Sequence, residues 1–147
     1  MRIVGDWFLF DDGESRPILR AKLRTNRETT VTEQFLVDTG ADRTVFTAAL
    51  LQQLALPVQP ASTDERLLGI GGAAAYVMVE SVIELTRDDG GPAVVRGQFA
   101  AFTDPGATDL SVMGRDVLNN FDVIVSRLRL PRSDHHFRRV HCHCRAM

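Results

Sequence analysis

Val37-Asp38-Thr39-Gly40-Ala41-Asp42-Arg43-Thr44-Val45-Phe46 follows directly on Phe35-Leu36, so its first acid stands at the end of an apolar run. Thr29 to Val37 has the β-branched and aromatic content of a strand. Thr47 to Leu54, with Ala and Leu at compact spacing and Leu56-Pro57 behind it, predicts a short helix. Asp38 is therefore expected where buried structure ends and a turn begins. Gly40 admits a close backbone approach or a φ that a side chain would forbid. Asp and Gly are also common turn formers, so Asp-Thr-Gly by itself is compatible with an ordinary turn.

Outward from this segment the chain is strand-rich. Arg2 to Phe10 predicts a first strand, Asp11-Asp12-Gly13-Glu14 a turn, and Arg16 to Leu23 its partner. Leu67 to Leu85 reads as strand, turn and strand, bent at Gly69-Ile70-Gly71-Gly72, with Tyr76 to Leu85 as a long return arm. Asp88-Asp89-Gly90-Gly91-Pro92 is a further turn and Val94 to Phe102 a further strand. Leu110 to Met113, Gly114, a short helix over Val117 to Phe121 and a strand over Val123 to Leu130 complete the body. No alternation of strands with helices of crossover length appears. The expectation is an all-β, Gly-punctuated antiparallel or barrel-like sheet with one or two short helices.

The 147 residues suffice for one ordinary domain and not for two full lobes of a large enzyme. With 44% hydrophobic and 24% charged residues the composition is that of a globular protein rather than a disordered one. Residues 1–126 carry 11 basic and 18 acidic residues, and residues 127–147 carry 6 and one, so an acidic body precedes a basic tail. The expected division is a domain over 1–130 and a basic, His- and Cys-containing flexible tail over 131–147. Charge interrupts every apolar run well short of membrane-spanning length, so a cytoplasmic protein with no membrane contact is expected. Cys142 and Cys144 are too close together and too near the end to staple a core.

Three segments, in order, carry a family resemblance. Val37 to Phe46 resembles the catalytic loop of retroviral-type (retropepsin-like) aspartic peptidases, including their bacterial and cellular single-domain members. Leu68-Gly69-Ile70-Gly71-Gly72 resembles their glycine-rich flap tip. Val112-Met113-Gly114-Arg115-Asp116-Val117-Leu118 resembles the strand, glycine and helix that pack behind the catalytic loop. The resemblance runs from about Arg16 to about Leu130. It implies a retropepsin-like acid protease barrel, active as a dimer, with Asp38 as catalytic carboxylate. Thr39 would bond across to the partner subunit's loop, and Gly40 would offer its carbonyl to substrate backbone. Ala41 and Asp42 would line the substrate with Gly69, Ile70, Gly71 and Gly72, and Arg115 would support the interface through a carboxylate such as Asp42. Ala73-Ala74-Ala75 departs from the bulkier apolar residues that often follow a family flap.

The chemistry explains why one Asp is half a machine. Attack of water on an amide needs a base for the water proton and an acid for the carbonyl oxygen. Two carboxyl groups a few Å apart meet this by sharing one proton. The chain has one Asp-Thr-Gly; Asp109-Leu110-Ser111 and Asp104-Pro105-Gly106 lack the preceding apolar strand and following turn. A two-fold axis places residue 38 of one subunit beside residue 38 of the other, so a homodimer supplies the second acid. An extended peptide or protein is the expected substrate, its alternate side chains entering pockets. Val45, Phe46, Ile70 and Val112 are candidate pocket walls and equally ordinary core residues.

No cofactor motif is found. His141-Cys142-His143-Cys144 offers soft ligands, but they are consecutive rather than spaced pairs, so no built metal site is expected. The Arg-rich tail lacks a recognisable nucleic-acid module, and no nucleic-acid partner is expected. The alternative to an endopeptidase is a non-catalytic retropepsin-like module for peptide binding or dimerisation.

Overall fold

The structure is a computed structural model and describes residues 2–61, 67–69, 72–126 and 139–143. Twelve strands and two short helices make up the described chain. The strands are β1 (Arg2–Leu9), β2 (Ser15–Arg24), β3 (Thr30–Val37), β4 (Val45–Phe46), β5 (Val58–Pro60), β6 (Leu67–Gly69), β7 (Gly72–Ala74), β8 (Tyr76–Thr86), β9 (Pro92–Phe102), β10 (Ser111–Met113), β11 (Asp122–Val125) and β12 (Arg139–His143); the helices are α1 (Ala48–Leu54) and α2 (Arg115–Leu118).

Ten strands form one sheet in the order β11-β12-β1-β2-β3-β10-β4-β9-β8-β5, and β2 also pairs with β8. That extra pairing joins β2, β3, β10, β4, β9 and β8 into a closed barrel, which removes the edges that an open sheet would leave there. Alternation in the long strands puts one face inside. Leu19, Ala21 and Leu23 of β2 and Val79, Ile83 and Leu85 of β8 are all buried. Phe46 is fully buried, with Phe35 on one side (ring centroids 5.9 Å apart) and Phe99 on the other (5.5 Å). Phe46 is thus a core residue rather than a pocket wall, and Val45 packs with Tyr76 and Ala100 in a second buried cluster.

Two pairings in the barrel are parallel: β10 with β3 and β4 with β9. They follow from β10 lying between β3 and β4, which are consecutive in sequence. The chain leaving β3 must therefore arch over the end of β10, a span of two inter-strand spacings or ~10 Å, before it enters β4. Residues 38–44 are that arch.

Several boundaries differ from the sequence expectation for local reasons. The second helix begins at Arg115, immediately after its N-cap Gly114, rather than at Val117. The first begins at Ala48, with Thr47 as N-cap accepting the Leu50 N–H at 3.1 Å. β4 and β5, two and three residues long, are too short to show a period. Pro60 in β5 is tolerated because β5 is an edge strand. Within 131–147, expected as a tail, Arg139–His143 forms β12, paired antiparallel with β1 and β11. Asp89 caps the turn between β8 and β9, where hydrogen bonds from the Arg87 guanidinium and the Gly91 N–H hold its carboxyl down at about 2.

Candidate active site

The arch is held at both ends. At its start the Asp38 N–H donates to Met113 O (3.1 Å), continuing the β3–β10 pairing by one residue. At its end Thr44 is fully buried and binds Asp116. Its N–H lies 2.9 Å from both Asp116 carboxylate oxygens, and its hydroxyl donates to Asp116 Oδ1 at 2.6 Å. The same hydroxyl oxygen accepts the Gly114 N–H at 3.0 Å. Asp116 Oδ1 also accepts the N–H of Val117 at 2.9 Å. Between the ends, Arg115 N–H donates to Ala41 O (2.9 Å) and Asp116 N–H to Asp42 O (3.3 Å). The α2 start therefore grips the arch from below.

Gly114 is where arch and helix meet most closely. A Cβ there would stand 2.5 Å from the backbone oxygen of Arg43 and 2.9 Å from its nitrogen, distances that no side chain tolerates against backbone. Gly40 has a different requirement. It is not among the described glycines with positive φ, so its backbone conformation is open to other residues. Its N–H donates to Asp38 Oδ1 at 2.9 Å, and a Cβ would come within 3.2 Å of that oxygen. Of the two reasons for a glycine at 40, the structure selects close approach.

Asp38 is half-buried, while Thr39 and Gly40 are exposed beside it. The Gly40 N–H is the hydrogen-bond donor to the Asp38 carboxyl group among the described residues. Ala41 is half-buried, and Asp42, with its side chain 80% exposed, pairs with Arg115. Val112 is half-buried at the centre of β10. Gly69 and Gly72 face each other at the end of the antiparallel β6–β7 hairpin; Ile70 and Gly71 lie outside the described residues. Tyr76 is buried, and Trp7 donates its indole N–H to Ser126 O at 2.9 Å, so both pack structurally.

The residue that sequence reasoning missed is Asp116. The signal was present: an acid in the first turn of a helix, two residues after a glycine, is placed to accept backbone N–H groups. Among the described residues no group of three His, Cys, Asp or Glu side chains is arranged to hold a metal ion, and no helix is long and apolar enough to cross a membrane. A shallow groove lined by Pro57, Gln59, Glu80, Ser81, Val82 and Arg96 shares no residue with the arch or the hairpin.

Comparison with known proteins agrees with this geometry. The sequence model of the family described as "Aspartyl protease" matches residues 19–117, from the middle of β2 into α2. No curated protein matches significantly by sequence. Among solved structures, the chain is similar to a retropepsin-like aspartic protease from Rickettsia conorii, with 16% identity and a TM-score of 0.53 over 97% of this chain and 90% of that one. It is also similar to EIAV protease complexed with the inhibitor HBY-793, with 19% identity and a TM-score of 0.51 over 76% of this chain and 92% of that one. At such identities the structural likeness establishes the fold, and the family match covers most of the chain: the protein belongs to the aspartyl protease family and has the retropepsin-like fold.

Proposed function

We propose that the chain is an aspartic endopeptidase that hydrolyses peptide bonds as a homodimer, each subunit contributing one Asp38. The observation that carries this reading is the state of that side chain. Asp38 sits half-buried at the end of a core strand, on an arch fixed at both ends, and accepts one hydrogen bond, from Gly40, among the described residues. It is positioned, yet most of its lone pairs are open for a proton, a water or its mate.

In the assembled pair one Asp38 is ionised and the other carries the shared proton. The ionised carboxylate takes a proton from a bridging water as the water oxygen bonds to the scissile carbonyl carbon. The protonated carboxyl gives its proton to the carbonyl oxygen, so the intermediate is a neutral gem-diol. On collapse the carboxyl that gained the water proton passes it to the amide nitrogen as the C–N bond breaks. A gem-diol hydroxyl then returns its proton to the other carboxylate, leaving an acid, an amine and the original shared-proton pair. The reaction uses water and needs no metal or organic cofactor.

Thr39 is proposed to bond across the axis to the partner loop, Gly40 and Asp42 to hold the substrate main chain, and Ala41 to pack beside the scissile bond. The β6–β7 hairpin, with Gly69 to Gly72 at its turn, is proposed as a flap that closes over an extended peptide and excludes water. Arg115 supports the interface by fixing Asp42. A cytoplasmic setting with neither nucleic acid nor membrane as partner completes the reading. Substitution Asp38→Asn, assayed with a mixed peptide library, is expected to reduce cleavage by at least ~100-fold, the lower bound for losing acid-base catalysis, while the fold persists. Cleavage retained by the folded variant excludes Asp38 as the catalytic acid. A native protein that binds peptides but cleaves none supports the non-catalytic module instead.

A further inference from the structure

A second carboxylic acid, remote from the proposed chemistry, sits where the strands that carry it are tied together. Glu33 of β3 is half-buried, and its Oε1 accepts the hydroxyl proton of Ser111 at 2.6 Å. The Ser111 oxygen also accepts the N–H of Thr47 at 3.1 Å. Thr47 is in turn the N-cap of α1. One chain of bonds thus joins β3, which ends one residue before Asp38, to β10, which leads to Gly114 and Asp116, and to the start of α1 just after β4. Ser111 is fully buried and Thr47 nearly so.

Among the described residues, the groups that face Glu33 are not ionisable. Ala21 is its partner on β2, Ser111 meets it from β10, and α1 carries no ionisable residue. On its own strand Val31 and Phe35 share its face. Arg20 and Lys22, the cations at neighbouring registers, are exposed, and Arg20 pairs with Asp6. Asp109, the nearest acid along the chain from Ser111, is exposed.

We propose that Glu33 is a proton-dependent tie for the strands that carry the site: protonated, it is a neutral hydrogen-bonded group in the middle of β3, and ionised, it places there a half-buried charge that no cation among the described residues faces, and weakens the fold. Burial pushes the Glu33 carboxyl above the ordinary glutamate value of 4.5; the Ser111 hydrogen bond favours the charged form and is the smaller effect. A raised value in the folded state means that the native protein holds more protons than the unfolded chain within the window between the two values. Stability from Glu33 is therefore complete below 4.5 and is lost as pH rises through the folded value. The result is a domain that holds its site strands best in acid. The inference concerns folding and stands whether or not Asp38 hydrolyses peptides.

Thermal unfolding against pH tests it, in an Asp38→Asn background that removes the Asp38 carboxyl from the titration. The further substitution Glu33→Gln is expected to raise Tm relative to its parent by a few degrees as pH rises through the window, with a constant difference below it. Parallel profiles across the whole range overturn the proposal. If Glu33→Gln does not fold, the side-chain carboxyl carbon of Glu33 is titrated by NMR in the Asp38→Asn protein. A midpoint above 4.5 is expected, and one at or below it overturns the proposal.

Discussion

Two aspartates bracket the same arch and are held in opposite ways. Asp116, although largely exposed as a residue, has its carboxylate filled by the Thr44 N–H, the Thr44 hydroxyl and the Val117 N–H. Asp38, half-buried, accepts only the Gly40 N–H among the described residues. A carboxylate whose lone pairs are occupied by fixed donors is a structural part, because taking up a proton would cost those bonds. One held by its backbone and left open at its oxygens is suited to move protons. Role follows from the donors around the acid rather than from residue type.

The contrast can be broken from either side. The largest effect belongs to Asp38→Asn: the account expects the ~100-fold or greater loss of cleavage given above with little change in unfolding midpoint, since few bonds are removed. A smaller effect, of the opposite kind, belongs to the Asp116 end. Thr44→Val keeps shape but removes the hydroxyl that donates to Asp116 and accepts the Gly114 N–H. Leaving that buried N–H without a partner costs about 2 kcal/mol, measured by denaturant unfolding, and any loss of cleavage should follow the loss of folded protein. The smallest effect is expected for Arg115→Met. Its ion pair with Asp42 is exposed on both sides, and such pairs contribute about 0–1 kcal/mol. The backbone bond from Arg115 N–H to Ala41 O survives the change. A large loss of stability in Arg115→Met would show that the arch depends on its surface charges rather than on Thr44 and Asp116.

Much of this arrangement was legible before the structure, for definable reasons. Long strands such as Tyr76–Thr86 declare themselves through β-branched and aromatic content between turn residues, and Asp38-Thr39-Gly40 through an acid set at an apolar strand end. The pairing of β10 between β3 and β4 was not legible, because register across the barrel depends on contacts between residues more than 60 positions apart. Without that pairing the arch cannot be seen, and neither can the reason Gly114 must be glycine. β4 is two residues long and offers no period. Asp116 reads as an ordinary first-turn acid until Thr44 is known to stand beside it. Glu33 reads as a polar position on a strand until Ser111 and Thr47 close around it.

The central claim, that each catalytic unit uses residue 38 from two chains, is tested most directly by mixing native and Asp38→Asn subunits under conditions where dimers exchange. If both carboxylates are required, activity scales with the square of the native fraction, so an equal mixture retains about one quarter of the activity of the same total amount of native protein. Activity proportional to the native fraction, about one half in that mixture, would mean that a single Asp38 suffices and would contradict the account.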